Sequence, residues 1–372
     1  MARYGARRAA EQGLARTHGA SLLALAANGL FRVGRWREAE GVVAEAMEHS
    51  PSGSEVVDLL FARCKLHLGL GDLNAAGRDL DALETLTFGE PQHELALRTL
   101  RAGLAIWRGR YPEARRSVQQ GLDRCADRTD DVVAMAVLVW HGLRNEAEAR
   151  TKGSQGVDTA AVRRLRGLVD QVSAAAQGRV GPVQDAVEGY VALCRAELGR
   201  IDNRPDPVTW ERAATLWEAL KHPYPAAYSR LRQADAYFFK RIDSAQGVHW
   251  LRAAYQRANA LEARQLTKEI QDLALHHRVA LTGPQVSRLP RGRAEQPPNG
   301  RPPALAALTD REYEVLALLA QWLTNKQIAE RLFIADRTVS AHVGNILAKL
   351  GVPRRALAAA LYLQANPEGE GS

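Results

Sequence analysis

Apolar residues recur every three to four positions from residue 1 to about residue 280, and almost no segment alternates apolar and polar residues. A period near 3.6 places apolar side chains on one face of a helix, whereas a half-buried strand requires a period of two. The pattern therefore predicts a region that is helical throughout. The same spacing returns near the C-terminus, so the predicted fold class of the chain is all-α.

Three segments of the helical region share the form Gly-x-apolar-x-x-Ala, beginning at Gly34, Gly71 and Gly109, at intervals of 37 and 38 residues. Glycine suits a tight turn, the large apolar residue can anchor the next helix, and alanine lets that helix pack closely. The copies predict helical hairpins similar to a tetratricopeptide-type solenoid, with slightly longer repeats. Two degenerate copies are expected around residues 194–220 and 226–260.

Residues 304–366 contain four shorter helical patterns. Thr309 and Thr324 are each followed three residues later by Glu or Gln, which is the spacing of a capping box. Asp336 can cap a third helix, and Pro353 stands where a fourth can start. The positions predicted to be buried in this region are Tyr313, Val315, Leu316, Leu319, Ile328, Ala329, Leu332, Val339, Val343, Ile346, Leu347 and Leu350.

Four motifs follow one another in this region: Leu308-Thr309-x-Arg311-Glu312-x-Glu314-Val315-Leu316, Thr324-Asn325-Lys326-Gln327-Ile328-Ala329, Thr338-Val339-x-x-His342, and Ile346-x-x-Lys349-Leu350-Gly351-Val352-x-x-Arg355. Together they resemble the LuxR-type (GerE-like) DNA-binding domain, a bacterial helix-turn-helix family. The resemblance implies a four-helix domain that binds double-stranded DNA, with the third helix as the reader in the major groove.

The resemblance also implies roles for individual residues. The base-facing positions are Arg337, Ser340, Ala341, Gly344 and Asn345. The phosphate-binding positions are Thr324, Asn325, Lys326, Thr338, His342, Lys349 and Arg355.

The last helix is richer in Ala and Leu than one small core needs, so we expect it to pair with its twin in a homodimer on two half-sites. The predicted dimer interface is Leu357, Ala360, Leu361 and Tyr362.

Several positions depart from the pattern of that family. Trp322 stands where the family usually has a glycine, and Ala335 replaces the usual Ser cap. Most members carry a long polar residue at the position of Ser340, and often another at the position of Gly344. Short side chains there predict weak direct readout of the bases and more reliance on phosphate contacts and DNA shape.

The formal net charge of the chain is +8, and the positive charge is concentrated near the C-terminus. Residues 284–366 carry 11 basic and 6 acidic side chains, whereas residues 1–283 carry 39 and 34. A high density of positive charge is expected of a module that binds phosphates.

Prolines, glycines and arginines fill the stretch between the two helical regions, which predicts an extended tether because proline blocks helix and the arginines repel one another. A second flexible segment is predicted at residues 151–158. The predicted organisation is a helical-repeat sensory or interaction domain at 1–281, a flexible linker at 282–303, a helix-turn-helix domain at 304–366 and a disordered tail at 367–372.

A motif before the linker, Trp217-x-x-Leu220-x-x-Pro223-Tyr224-x-x-Ala227, resembles the segment that precedes the DNA-binding domain in large ATP-dependent LuxR-type regulators. Those relatives carry an ATPase module. The sequence has no GxxxxGK[ST] run, so no loop that would cradle phosphates can be placed. We therefore expect a shortened relative that uses neither ATP nor any other cofactor.

Candidate sites for other chemistry are few. Three cysteines, too far apart for a metal motif, predict reduced buried thiols in the cytoplasm. His276 and His277 have no third ligand at a suitable spacing, and no GxSxG or HExxH motif is present, so neither a metal site nor an enzyme is predicted. The apolar run at 22–27 is too short for a signal peptide or a membrane span. The predicted location is the cytoplasm, on the nucleoid when bound to DNA.

The aromatic residues of the helical region have two interpretations: they pack inside the hairpins, which is the favoured reading, or they line a groove for a ligand. They are Trp36, Trp107, Trp210, Trp217, Tyr224 and Trp250. We expect the concave face of the solenoid to control the DNA-bound dimer by binding a protein, a peptide or a small molecule.

The predicted function is that of a sequence-specific transcriptional regulator, with RNA polymerase as a further candidate partner and no membrane partner. The alternative is an interaction scaffold in which the solenoid is active and the DNA-binding domain is weak or vestigial. The short side chains at Ser340 and Gly344 are the reason to keep that alternative.

Overall fold

The structure is a computed structural model that describes residues 1–87, 91–125, 130–152, 156–178, 181–281, 305, 308–321, 323–332, 336–350, 352 and 355–365. The side chains at positions 91, 310, 336, 337, 341 and 348 are not described. The chain divides into two compact units, Met1–Gln285 and Val286–Ser372. The described residues form helices and no β-strand, which confirms the all-α prediction. The predicted linker and tail lie outside the described residues.

The first unit is built from antiparallel helices joined by short turns. Its described helices are α1 Ala2–Glu11, α2 Ala20–Arg32, α3 Trp36–Glu48, α4 Ser54–Leu70, α5 Leu73–Leu86, α6 Pro91–Trp107, α7 Tyr111–Cys125, α8 Val132–Lys152, α9 Thr159–Ala175, α10 Pro182–Ile201, α11 Pro207–Ala219, α12 Pro223–Lys240, α13 Ser244–Ala260 and α14 Arg264–His276, with a π-helical turn at Ala15–Gly19.

The second unit contains four described helices, α15 Asp310–Ala320, α16 Asn325–Leu332, α17 Asp336–Leu350 and α18 Arg355–Ala365. Its buried residues include Leu305, Val315, Leu316, Ile328 and Ile346. All the positions predicted to be buried in this region belong to this core or pack against it.

The three Gly-x-apolar-x-x-Ala segments form the predicted hairpin turns. Gly34, Gly71 and Gly109 have φ of +82°, +84° and +70°, a left-handed conformation that glycine adopts without strain. The apolar residue of each segment opens the next helix, as Trp36, Leu73 and Tyr111 do. The alanines at 39, 76 and 114 are completely buried. The hairpins are thus confirmed, whereas their likeness to tetratricopeptide repeats stays a prediction.

The later turns of the first unit reach the same left-handed conformation without glycine. Asn203, Arg241 and Glu262 have φ of +59°, +53° and +55°. The pairs α10–α11 and α12–α13 occupy the two stretches where degenerate repeats were predicted. Because the turns lack the glycine, these copies are hard to see in the sequence.

The prediction of a flexible segment at residues 151–158 was wrong at both of its ends. Thr151 and Lys152 complete α8. The Asp158 side chain accepts hydrogen bonds from the backbone of Ala160 and Ala161 and so caps α9. Its own backbone N–H donates to Glu146 Oε2 at 2.9 Å. The capping contact with a buried carboxylate orders this end, although residues 153–155 lie outside the described part of the chain.

The first hairpin packs against the last helices of the unit, so the array of hairpins closes on itself. Arg37 Nε donates to Glu262 Oε1 at 2.8 Å across 225 positions of sequence. The rings of Trp36 and Tyr224 lie 5.7 Å apart. A Cβ atom added to Gly34 would lie 2.5 Å from Pro223 Cγ, so only glycine leaves room for this approach.

A network of buried ion pairs crosses the interior of this unit. Glu148 Oε1 accepts from Arg200 at 3.0 Å and from Arg232 at 2.5 Å. Arg200 also donates to Glu197 at 2.8 Å, and the Tyr228 hydroxyl donates to Glu197 at 2.6 Å. Burial would raise the pKa of Glu148, but the guanidinium groups of Arg232 and Arg200 hold it well below its usual value. The network therefore keeps its charge inside the fold.

The three cysteines are buried, as predicted: they are Cys64, Cys125 and Cys194. Burial raises the pKa of Cys64 to about 12, which makes its thiol a poor nucleophile. Within the described ranges, no helix is both long enough and apolar enough to cross a membrane.

Candidate nucleic-acid interface

Helix α15 begins with the predicted capping box. The Thr309 hydroxyl accepts from the Glu312 backbone at 3.3 Å, and Glu312 Oε2 accepts from the Thr309 backbone at 2.8 Å. The same carboxylate accepts from Lys349 Nζ at 2.5 Å. Burial would raise the pKa of Glu312, but these hydrogen bonds lower it overall. The carboxylate thus caps α15 and holds it to the last turn of α17.

Helix α16 is held at both ends. Thr324 and Gln327 form the second predicted capping box, in which the Thr324 backbone donates to Gln327 Oε1 at 2.8 Å. At the other end, Arg311 donates to the carbonyl of Leu332 at 2.9 Å. The last described residue of the helix is Leu332, and residues 333–335 lie outside the described residues.

Helix α17 has one buried face and one open face. Val339 and Ile346 are fully buried. Ser340, Gly344 and Asn345 are exposed. A Cβ atom added to Gly344 would meet nothing within 4 Å. The helix already includes residue 336, so it begins one position earlier than a cap at that residue would place it.

Hydrogen bonds join three of the predicted DNA-contacting residues. Asn325 Nδ2 donates to Ser340 Oγ at 3.0 Å. Arg355 Nη1 donates to Asn325 Oδ1 at 3.4 Å, and Arg355 Nη2 donates to the carbonyl of Leu323 at 2.8 Å. The first turns of α16 and α18 therefore meet the open face of α17. The exposed Lys326 follows Asn325 in the same turn of α16.

The other predicted site residues have varied surroundings. Thr324 is exposed, and Thr338 and His342 are half-buried. Lys349 is ion-paired with Glu312. The side chains of residues 337 and 341, the other predicted base-facing positions, lie outside the described part of the structure. The DNA-binding role of each of these residues stays a prediction.

The contacts of this region that were not foreseen from the sequence include the ion pair of Lys349 and the hydrogen bond from Arg311 to the end of α16. Glu312 and Lys349 are 37 positions apart, and Arg311 and Leu332 are 21 apart. A capping-box carboxylate has a spare lone pair, which is a weak sign that a cation lies nearby.

The predicted dimer residues divide between the surface and the core. Leu357 is 47% exposed. Ala360 is also exposed, and Leu361 is half-buried. The ring of Tyr362 lies 5.4 Å from that of Tyr313, within the core of its own unit. The homodimer stays a prediction, with Leu357 and Ala360 as its most accessible positions.

Comparison with known proteins identifies this region. Residues 306–362 match the family of bacterial regulatory proteins of the luxR type, also called GerE. The chain thus carries a LuxR-family helix-turn-helix domain at its C-terminal end.

Several curated relatives share this domain. The DNA-binding transcriptional activator DevR/DosR of Mycobacterium tuberculosis is 47% identical over 70 residues, which cover 18% of this chain and 32% of the relative. The nitrate/nitrite response regulator protein NarP of Escherichia coli is 51% identical over 59 residues, which cover 16% of this chain and 27% of the relative.

One relative extends beyond the DNA-binding domain. It is Rv0890c of Mycobacterium tuberculosis, described as a candidate HTH-type transcriptional regulator, which is 27% identical over 289 residues. The match covers 77% of this chain and 28% of the relative. The chain therefore spans less than a third of the length of each of these three proteins.

Proposed function

We propose that this protein is a sequence-specific DNA-binding transcriptional regulator whose helix α17 enters the major groove. The observation that carries the proposal is the open face of α17, with the short residues Ser340 and Gly344 beside the exposed Asn345. A helix with such a face can approach base edges closely, while the helices around it hold its orientation. The similarity to DNA-binding regulators supports the same function.

The base contacts we propose come from Asn345, Arg337 and Ala341, with Ser340 and Gly344 permitting a close approach. Asn345 is the described residue best suited to a two-pronged contact with adenine, which is worth about 1–3 kcal/mol against the wrong base. Ser340 Oγ already accepts a hydrogen bond from Asn325, so one of its lone pairs is in use. Specificity then depends partly on DNA shape.

The phosphate contacts we propose surround this face. Lys326 and Thr324 lie at the start of α16, where backbone N–H groups also favour an anion. Arg355 is exposed at the start of α18 and already holds Asn325 in position. Further contacts are proposed for Thr338, His342 and Lys349, the last after it leaves its ion pair with Glu312.

Two further parts of the proposal concern assembly and control. A homodimer formed through α18 would bind two half-sites about one helical turn apart. A ligand or partner bound by the helical-repeat unit would alter the affinity for DNA, and bound dimers would act on transcription through contacts with RNA polymerase. The regulator would work in the cytoplasm, on the nucleoid.

The test of DNA recognition is selection of sites from random duplexes by the full chain, followed by titration with excess nonspecific DNA. We expect the selected site to bind at least about 1,000-fold more tightly than nonspecific DNA. Asn345→Ala should change the selected sequence, whereas the control Gln321→Ala, an exposed residue outside α17, should leave it unchanged. Equal affinity for all sequences would contradict the proposal and favour the scaffold alternative.

The dimer is tested on the selected duplex by measuring the mass of the complex in sedimentation. Leu357→Glu should change the complex from two protein chains per duplex to one, because it places a charge in the proposed interface. Leu363→Glu is the matched control, since Leu363 is 50% exposed on another side of the same helix. A one-to-one complex in the unchanged protein would rule out the dimer.

A further inference from the structure

A cavity of about 450 Å³ lies inside the helical-repeat unit. Helices α2, α4, α6, α8 and α10, Trp217 of α11 and the start of α12 line it, so it occupies the inner side of the closed array. A volume of several hundred Å³ is typical of pockets for small molecules. The aromatic residues of its wall are Phe31, Trp107, Trp140, Tyr190, Trp217 and Tyr224.

The charges on the wall of this cavity have one sign. Arg32, Lys65 and Arg144 line it, and the described lining residues include no Asp or Glu. His141 also lines it, but burial lowers the pKa of that ring to about 4, so it is neutral at pH 7. An aromatic cavity whose lining includes cations and no carboxylate suits an apolar molecule that carries an acidic group.

Arg144 is the most deeply placed of these cations. It is 3% exposed, and its guanidinium lies 4.4 Å from the ring centre of Trp107 and 4.7 Å from that of Tyr228. Its Nε has no hydrogen-bond partner. Across the described residues, no carboxylate lies within 4 Å of this guanidinium. Ring faces hold the charge in place, and the carboxylates of Glu269 and Glu148 act on it from a longer distance.

The other buried arginines of the unit differ from Arg144 in this respect. Arg200 pairs with Glu148 and Glu197, and Arg232 pairs with Glu148 and Glu269. A buried charge without a counter-ion is costly, so proteins almost always pair such groups. Arg144 makes no such direct pair with a described residue, and the carboxylates of Glu269 and Glu148 act on it only from beyond ion-pair distance. An anion in the cavity would be its first direct ion-pair partner.

Lys65 adds a second donor to the same wall. Its Nζ donates to Asn28 Oδ1 at 2.9 Å, which leaves two of its three N–H donors. Burial and the charge of Arg32 both lower the pKa of Lys65. In the parts of the chain that the structure describes, neither Lys65 nor Arg32 has a carboxylate within ion-pairing distance. The three cations thus line one cavity that has no carboxylate among its described lining residues.

We propose that this cavity binds a small aromatic organic anion, whose acidic group meets Arg144 and Lys65 and whose rings pack among the tryptophans. The proposal rests on the proposed control by the helical-repeat unit and names the chemical class of the effector. It also explains why Trp107 and Tyr224 are only half-buried, while Trp36 and Trp210 are core residues.

The test uses two fluorescent probes that differ in one group, 8-anilinonaphthalene-1-sulfonate and its neutral analogue N-phenyl-1-naphthylamine. Each is titrated into the full-length protein. We expect the sulfonate to bind one site per chain, at least about tenfold more tightly than the neutral probe, because a charge-assisted hydrogen bond forms only with the anion. Equal affinities, or the absence of a single saturable site, would overturn the proposal.

Two variants locate the bound sulfonate. Arg144→Gln should weaken its binding about tenfold or more and change that of the neutral probe less than about threefold. Lys65→Gln should also weaken the binding of the sulfonate. This site is half-buried and so tolerates substitution more readily. Arg195→Gln is the control because Arg195 is exposed outside the cavity. If folded Arg144→Gln and Lys65→Gln bind the sulfonate as the unchanged protein does, the assignment is wrong.

A second measurement separates this proposal from the proposed control of DNA binding. The affinity of the full chain for its selected duplex is measured with and without saturating sulfonate. If the sulfonate binds through Arg144 and DNA affinity is unchanged, the cavity assignment stands and the proposed control fails. If the sulfonate does not bind while sequence-specific DNA binding persists, the cavity assignment fails and the DNA-binding function stands.

Discussion

Residues 1–283 and residues 284–366 carry the same excess of positive charge and use it differently. The first has 39 basic and 34 acidic side chains, and the second has 11 and 6. In the helical-repeat unit, arginines such as Arg200 and Arg232 are buried against carboxylates. In the DNA-binding unit, Lys326 and Arg355 remain exposed. Basic side chains thus stabilise the interior of the helical-repeat unit, whereas in the DNA-binding unit some of them remain available to bind a partner.

The largest effect should come from removing the carboxylate at the centre of the buried network. Glu148→Gln leaves Arg200 and Arg232 with less compensation, so we expect the free energy of unfolding to fall by about 3–5 kcal/mol. The measurement is urea unfolding of the full chain. The control Asp272→Asn breaks an exposed pair with Lys268 and should cost less than about 1 kcal/mol. Equal losses would show that the buried network has no special role.

Glu148 also makes the stability of the folded protein depend on pH. The pKa of Glu148 is lower in the folded state than its ordinary value of 4.5. The contribution of Glu148 to the free energy of unfolding is therefore complete above pH 4.5 and is lost as the pH falls through the pKa of the folded state. Stability of the unchanged protein should therefore fall in this acid range, and that of Glu148→Gln should fall less steeply.

The next effect tests whether the repeat array closes on itself. Gly34→Ala and Gly109→Ala both place alanine in the left-handed region, at a cost of about 1–2 kcal/mol. Only at Gly34 would the new Cβ collide, with Pro223 and Leu261. We expect Gly34→Ala to cost about 1–3 kcal/mol more in the free energy of unfolding. Similar losses for the two variants would argue against the closure.

The smallest expected effect is on DNA binding, and it comes from substituting single lysines of the DNA-binding unit. Lys326→Gln should reduce the slope of log affinity against log salt by about one unit, because one phosphate contact is lost. Lys349→Gln should reduce stability as well as the salt slope, since Lys349 is paired with Glu312 in the free protein and is also a proposed phosphate contact. The measurement is DNA affinity at several salt concentrations, with thermal unfolding alongside. A normal salt slope for Lys326→Gln would contradict its phosphate role.

The features that could be predicted from the sequence are those that a few neighbouring residues determine. The capping boxes at Thr309 and Thr324 and the glycine turns at Gly34, Gly71 and Gly109 are of this kind. Each depends on chemistry within four or five positions, so a short motif suffices.

The features that could not be predicted depend on contacts between distant residues. Glu148 meets Arg200 and Arg232 across 52 and 84 positions. Arg144 looks in the sequence like any other helical arginine, and only packing shows that it lies among aromatic rings, with no carboxylate of the described residues within ion-pair distance. In the DNA-binding unit, the hydrogen bond from Asn325 to Ser340 was likewise not foreseen, although both residues are predicted DNA contacts.

The contact between Arg37 and Glu262 bears on how the chain matures as it is made. In an ordinary solenoid the first hairpin is complete once its immediate neighbour has been synthesised. Here its second neighbour follows 225 residues later. At about 5–20 residues per second, the ribosome needs roughly 10–45 seconds to deliver it. Until the last helices are made, the nascent first hairpin lacks the contacts that Arg37 and Trp36 make with Glu262 and Tyr224 in the folded unit.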